Sequence, residues 1–281
     1  YMFLGPQENP QLGLRAHRLF RFHPEILETQ IRAILRAARG CHGLRIMYPM
    51  VESLDEWDFV NDLTDRAISS LEADGLDFRR DFDRGPLVET PSAVWDFPAL
   101  IDRGDFASVG TNDLVQYLFA VDRNTANVAS MYRPEHPVFL QVLKRLVNRS
   151  REAEKPLSVC GEIAADAHLL PVLVGLGLEN LSVATGAVET VKEQLRELDL
   201  EACRGLARDC LNCNRTAEVV ERLREWHSES ESPSRDIQPD AIDPVCKMAV
   251  DPGKTPFTLE RDGVNYYFCS RRCLNLFEKR L

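Results

Sequence analysis

The 281-residue chain has no long apolar run; its best candidate, Leu169–Leu178, is about one helix long and contains two glycines. A membrane-spanning helix takes about 18 or more consecutive apolar residues, so none is expected. No basic, then apolar, leader of the secretory kind is present, which makes the cytoplasm the expected location. Net positive charge is also missing. A formal charge of −10 excludes a nucleic-acid partner held by bulk electrostatics and leaves local arginines to capture small anions. The eight cysteines do not form the dense framework of a small secreted domain, so free thiols and metal ligands are expected instead of disulfides. The chain opens at Tyr1 without an initiator Met, and the expectation is that its N-terminus has been cut away.

What is present suits one large folded domain plus something small: 44% of residues are hydrophobic and 28% charged. From residue 44 to about 185, brief apolar runs alternate with longer amphipathic ones. Strands are predicted at Leu44–Pro49, Pro86–Glu89, Phe106–Gly110, Leu157–Cys160 and Leu181–Ala184. Short, nearly all-apolar runs are typical of strands covered on both faces. Helices are predicted between them: Ser53–Asp74 opens on a Ser-x-x-Glu capping box, and Pro137–Glu154 on a first-turn proline. This alternation implies parallel strands with right-handed crossovers, in either an open doubly wound sheet or a barrel. The polar residues favour the barrel. Glu89, Asn112–Asp113 and Cys160–Glu162 each follow a strand, on the C-terminal rim where barrel enzymes carry their chemistry. Helical segments near Val191–Leu198 and Ala217–Trp226 come next, and Ser228–Asp240, with two prolines and almost nothing apolar, reads as an exposed linker.

Six motifs occur in one order: NPQLGLRAHR at 9–18, LRIMYPM at 44–50, VETP at 88–91, GTNDLVQYLFAVDR at 110–123, YRPEHP at 132–137 and VCGE at 159–162. Together they resemble the phosphoenolpyruvate-binding domain of Enzyme I of the sugar phosphotransferase system and its nitrogen-system relative, towards which AVDRNTANVASMY leans. Pyruvate phosphate dikinase and phosphoenolpyruvate synthase share that barrel. The resemblance covers about residues 1–200. It implies an α/β fold, a partial (β/α)8 TIM barrel of the phosphoenolpyruvate/pyruvate type over residues 1–226. Three leading strands, one with a substrate-binding arginine, are missing from the matched part. It further implies magnesium-dependent transfer of a phosphoryl group from phosphoenolpyruvate to a protein histidine, with pyruvate released. The implied partners are a histidine phosphocarrier protein of the HPr kind and a second copy of the barrel. Enzyme I carries its phosphoacceptor histidine in a separate N-terminal domain. No such motif occurs here, so this chain is not expected to complete the transfer alone.

Residue chemistry runs alongside the resemblance. A substrate with a carboxylate and a phosphate calls for fixed, forked cations, and the resemblance assigns Arg15, Arg45 and Arg123 to that task. Arg45 lies inside an apolar strand run, which argues against a plain surface arginine. Glu89 and Asp113 end neighbouring strands, so two carboxylates can converge on Mg2+; capping the following helix is the competing role for Asp113. Asn112 can donate its amide to the phosphate. Cys160 is the implied proton donor to the enolate methylene carbon. His136, between Pro134 and Pro137, is expected to be structural.

Residues 242–281, after a linker at 227–241, resemble the YHS domain, a relative of the TRASH metal-binding fingers. A small cysteine-rich ββα-like module is expected. Arg261-Asp262-Gly263 marks a hairpin. Cys269 and Cys273, four apart, face the same way at a strand-to-helix corner, and Cys246 arrives from a knuckle before the hairpin. Three thiolates suit Zn2+ or Cu+, with Asp243 or water as candidates for the fourth ligand. A unit of about 40 residues folds poorly without such a staple. Cys203, Cys210 and Cys213 lie in polar helical sequence and are read as ordinary packing. Two rivals to Enzyme I chemistry stand: a dikinase or synthase on the same barrel, and a metal-responsive regulatory protein whose barrel no longer turns over.

Overall fold

The computed structural model describes residues 9–125, 127–230, 241–245, 249–250, 252, 255, 257–261, 264–269 and 271–279. They belong to two units, divided between Ser228 and Glu229.

In the first unit α1 (His17–Phe22) and α2 (Pro24–Ala37) precede a regular alternation. It runs β1 (Arg45–Tyr48), α3 (Leu54–Ala73), β2 (Asp83–Val88), α4 (Pro91–Arg103), β3 (Ala107–Gly110), α5 (Thr111–Phe119), α6 (Pro137–Glu152), β4 (Leu157–Cys160), α7 (Leu170–Leu176) and β5 (Asn180–Ser182). Three helices close the unit: α8 (Val188–Glu197), α9 (Leu200–Asn212) and α10 (Thr216–Ser230). The five strands are all parallel and lie in chain order, β1-β2-β3-β4-β5. That order decides between the two architectures left open by the alternation. A doubly wound sheet reverses its strand order at a switch point. Strands added always to the same side, each by a right-handed crossover, place their helices on one face and curl as a barrel wall. The fold is α/β, a βα array of the TIM-barrel kind.

Local sequence explains the elements. The Ser53 hydroxyl accepts from the Asp55 N–H at 3.2 Å and donates to Glu56 Oε2 at 2.7 Å, starting α3. Trp57, Val60, Leu63, Ala67 and Leu71 then bury one helical stripe. His136 caps α6, its Nδ1 accepting from the Val138 N–H at 3.1 Å, with Pro137 in the first turn. This is the structural role expected of it. Strand β2 starts at Asp83, three residues before the expected Pro86, because Asp83–Pro86 pair in register with Arg45–Tyr48. Gly85 permits this: a Cβ there would lie 2.6 Å from the Phe106 carbonyl oxygen. Strand β5 starts at Asn180, since its register is set by Ser158–Cys160.

Val88, Val109 and Val159 from the sheet are fully buried with Phe139, Leu143 and Leu146 of α6 and Leu173 of α7. Helix α9 packs closely on α7 and buries Cys203 and Cys210 completely. Burial pushes the Cys210 thiol up to about 12, so these cysteines are protonated packing groups. Cys213 caps the same helix.

The second unit holds short pairs β6 (Ala241–Ile242) with β7 (Ala249–Val250), and a hairpin of β8 (Thr258–Arg261) and β9 (Val264–Tyr267), followed by α11 (Arg271–Lys279). Arg261 pairs with Val264; residues 262–263 of the expected hairpin turn lie outside the described residues. Phe268 is fully buried, 5.3 Å from the ring of Phe277. It is the small core of a ββα-like module.

The α7–α9 contact supplies a test. A Cβ on Gly175 would lie 2.0 Å from the Cys203 carbonyl oxygen and 2.8 Å from the Ala207 Cβ, whereas Gly186 has nothing within 4 Å. Gly175→Ala is expected to lower stability by about 1–3 kcal/mol, the usual effect of overpacking, and Gly186→Ala to leave it near wild type. The urea midpoints of the two variants check this; equal midpoints would mean that the helices move apart freely.

Candidate active site at the C-terminal rim

Strands β2, β3 and β4 end at Val88, Gly110 and Cys160, and the chemistry-bearing residues lie at or just after these ends. Glu89 is 5% exposed and Asp113 6%, so two carboxylates are buried side by side. Glu89 Oε1 accepts the Met50 N–H at 2.7 Å, from the loop after β1. No hydrogen bond reaches its Oε2 among the described residues. Gly110 makes room for that carboxylate, since a Cβ there would meet Oε2 at 2.8 Å. Asp113 shows the same division. Its Oδ2 accepts from Arg15 Nη2 at 2.9 Å, while its Oδ1 has no hydrogen bond among the described residues and faces Arg123 Nη2 as an ion pair at 3.4 Å. Each acid thus has one oxygen held by the protein and one left over, an arrangement suited to a hard cation.

Burial pushes the Glu89 carboxyl up to about 7, and the charge of Asp113 adds to the effect. The Met50 N–H and the Arg15 and Arg123 guanidiniums pull the other way. Two like charges in a desolvated site raise one another's proton affinity unless cations balance them.

Arg15 is fixed from several sides. It donates to Tyr117 Oη at 3.3 Å and pairs with Gln11, and Tyr117 Oη donates to the Gln11 carbonyl at 2.5 Å. Ala16, next to it, has φ 49° and ψ −133°, a strained turn of the sort found at functional sites. Asn112 is oriented by its own oxygen: Oδ1 accepts the Glu162 N–H at 3.0 Å, which leaves the amide NH2 to donate elsewhere. Thr111 Oγ1 donates to the Cys160 carbonyl at 2.7 Å. Gly161, at φ +112°, lets these loops meet, because a Cβ would lie 2.2 Å from Thr111 Oγ1.

Cys160 pairs with Gly110 across the sheet. Its Sγ lies 3.8 Å from Ser108 Oγ and 3.4 Å from the Val109 carbonyl. Burial raises its thiol above the ordinary value and the Glu89 charge adds to this, while the Ser108 hydroxyl opposes it. The group is a thiol, not a thiolate, at neutral pH, and holds a proton to give.

Arg45 does not belong to this set. It is the first residue of β1, whereas Cys160 is the last residue of β4 and Glu89 and Asp113 come after the ends of β2 and β3. In a parallel sheet that places it at the opposite end. Its Nε donates to Asp83 Oδ2 at 3.0 Å, and its guanidinium lies 5.4 Å from the Phe106 ring centre. There it lines a 680 Å³ cavity with Leu157, Leu178 and Asn180. Cavity size and chemistry disagree about where the site is, and the buried, paired carboxylates locate it better than empty space does. Motif reading passed over Tyr117 and Tyr132. Burial pushes the Tyr132 phenol up to about 12, and its Oη donates to the Asn112 carbonyl at 3.4 Å. The only signal for either was an aromatic within or just after a rim motif.

In the second unit the donor oxygen of Asp243 and the sulfurs of Cys269 and Cys273 lie within 4.8 Å of one another. The two sulfurs are 3.7 Å apart. Asp243 is fully buried; its Oδ1 accepts the Val245 N–H at 2.8 Å and its Oδ2 the Cys269 N–H at 2.9 Å. Two thiols and a carboxylate fit a borderline divalent cation. Cys246, the third expected thiolate, lies outside the described residues.

Comparison with known proteins matches these two sites to two families. Residues 1–200 match the PEP-utilising enzyme, PEP-binding domain, and residues 241–280 match the YHS domain. Multiphosphoryl transfer protein 1 of Escherichia coli K12 is 40% identical over 239 residues, covering 85% of this chain and 28% of that protein. The phosphoenolpyruvate-dependent phosphotransferase system protein of Salmonella typhimurium is 41% identical over 214 residues, covering 76% of this chain and 28% of that one. Phosphoenolpyruvate-protein phosphotransferase of Staphylococcus carnosus is 34% identical over 226 residues, with 80% and 39% covered. The chain therefore spans between 28% and 39% of the length of these relatives. Two buried rim carboxylates, their arginines and a protonated thiol on a consecutive parallel sheet agree with a match over 200 residues, and the chain belongs to the PEP-utilising enzyme family.

Proposed function

We propose that the rim of the first unit binds phosphoenolpyruvate and serves phosphoryl transfer to a histidine of a protein acceptor, releasing pyruvate. The observation that carries this reading is the Glu89–Asp113 pair, each acid with one oxygen uncommitted, flanked by Arg15 and Arg123. Glu89 Oε2 and Asp113 Oδ1 would hold Mg2+, which when bound supplies positive charge to the substrate oxygens. Arg15 and Arg123 place forked donors around the same point, suited to a phosphate or carboxylate. The Asn112 amide, turned by Glu162, donates to the phosphate. As the phosphorus bonds to the acceptor histidine nitrogen, the P–O bond to the enol oxygen breaks and its electron pair stays on that oxygen as the enolate of pyruvate; the Cys160 S–H then delivers a proton to the methylene carbon and is left as the thiolate. Positioning and charge stabilisation supply most of the rate in such transfers. A phosphocarrier protein of the HPr kind, pairing of two barrels and a cytoplasmic setting belong to the same reading. A dikinase or synthase would use this rim in the same way. The second unit is proposed to hold Zn2+ or Cu+ through Cys246, Cys269 and Cys273, with Asp243 beside them.

Four measurements test these assignments. Phosphoenolpyruvate should bind in the presence of Mg2+ or Mn2+ and not with chelator, by titration calorimetry; equal binding without metal would remove Glu89 and Asp113 as ligands. Because the metal-free Glu89 carboxyl is raised to about 7, metal must displace a proton below that pH. Affinity for Mn2+ is expected to fall roughly tenfold per unit as pH drops below 7 and to level off above it.

Replacing Cys160 by Ala should leave phosphoenolpyruvate binding intact. It should slow deuterium exchange into the methyl group of bound pyruvate by about 10²–10⁴-fold, the range for a lost general acid. Exchange at the wild-type rate would reduce Cys160 to packing.

Metal analysis of the whole chain should find one zinc or copper ion per molecule, lost when Cys246, Cys269 and Cys273 are all changed to Ser. Retention of the metal by that triple variant would place it elsewhere.

A further inference from the structure

The substrate site proposed above depends on Arg123, which no strand end delivers. It lies in the turn after α5, ten positions beyond Asp113. Two features bend that turn back over the helix. Ala120 ends α5 in the left-handed conformation, φ 53° and ψ 43°, with its N–H bonded to the Gln116 carbonyl. The Val121 N–H donates to the same carbonyl at 3.0 Å. A left-handed alanine is strained and persists only where its surroundings hold it. The Gln116 side chain does the rest: it is 4% exposed, and its Oε1 accepts the Arg123 backbone N–H at 3.2 Å. One glutamine therefore fastens both the start of the turn, through its carbonyl, and its end, through its amide oxygen.

The arginine so held is unevenly used. Nη2 faces Asp113 Oδ1 at 3.4 Å, whereas Nη1 is buried without a hydrogen bond among the described residues. A buried cationic donor with no acceptor is unfavourable, and an anion reaching it would relieve the penalty. We infer that Gln116 is a positioning residue for substrate: by anchoring the Arg123 backbone it presents the unpartnered Nη1 to the anionic end of the ligand. It does not touch the ligand itself. The inference rests on the phosphoenolpyruvate reading for the identity of that ligand, but not for the anchoring.

Gln116→Met keeps length and bulk and removes the oxygen; Gln116→Glu keeps an acceptor in either protonation state. In the whole chain with Mn2+, Gln116→Met is expected to weaken phosphoenolpyruvate binding by about 5- to 150-fold, the range for one buried donor left unpaired. Gln116→Glu should recover most of the loss. Mn2+ affinity without phosphoenolpyruvate should not fall in Gln116→Met, because the lost bond does not hold Glu89 or Asp113 and a loosened Arg123 competes less with the ion at Asp113 Oδ1. Nitrogen-15 relaxation of the Arg123 Nε–Hε group should show a rigid side chain in wild type and Gln116→Glu, and an averaged one in Gln116→Met. A rigid Arg123 in Gln116→Met, or phosphoenolpyruvate affinity equal to wild type, overturns the inference. So does loss of Mn2+ affinity together with phosphoenolpyruvate, which marks plain packing. If wild type fails to bind phosphoenolpyruvate, the substrate reading falls and the relaxation result alone decides the role of Gln116.

Discussion

The arrangement of the first unit turns on the cost of burying two carboxylates next to each other. Glu89 and Asp113 are both almost fully buried, and water cannot screen them there. The protein answers with directed donors: the Met50 N–H on one acid, the Arg15 and Arg123 guanidiniums on the other. Glu89 is nonetheless displaced to about 7, so the compensation is incomplete without a ligand. A site that stores unbalanced charge in a dry setting favours a cation, and with it an anionic substrate, over an unoccupied state. Burial chiefly, with the Glu89 charge adding to it, raises the Cys160 thiol and keeps it protonated beside these acids.

Sheet topology makes that concentration of charge possible. Because β2, β3 and β4 are parallel and adjacent in chain order, the residues that follow them all emerge on one rim. Two glycines set how closely they approach. Gly110 leaves space for the Glu89 carboxylate, and Gly161 lets Thr111 and Asn112 close against the loop after β4. The first helical turn of α5, directly after β3, carries Thr111, Asn112 and Asp113 as one rigid group. Their spacing is therefore inherited from a helix and not from a loop, a precise support for catalytic groups.

The second unit meets a similar constraint with other means. Among the described residues it buries Val250, Phe268 and Cys273, with Phe277 against Phe268, and Asp243 is fully buried. That carboxylate is satisfied by the N–H groups of Val245 and Cys269, which ties the segment before the hairpin to the corner carrying the thiols. One acid thus both closes the module and stands within reach of both sulfurs.

Much of this was legible in the residues alone. Five brief apolar runs give five strands, because a strand covered on both faces needs no polar alternation; the Ser53 cap and the first-turn Pro137 mark two of the helices between them. Glu89, Asp113 and Cys160 could be placed on one rim since each follows a strand and parallel strands share their direction. The same logic, applied to position within the strand, would have set Arg45 apart: it opens β1 where the others end their strands or come after the strand ends. What the chain order could not disclose is anything that depends on distance between elements. The pairing of Arg15 with Asp113, the bond from Gln116 to Arg123, the proton held by Glu89 and the approach of Gly175 to Cys203 all arise where separately coded segments meet. Local pattern sets the face and direction of each element, because backbone geometry is local. Contact, burial and charge balance are properties of the packed whole, and only the tertiary structure decided them.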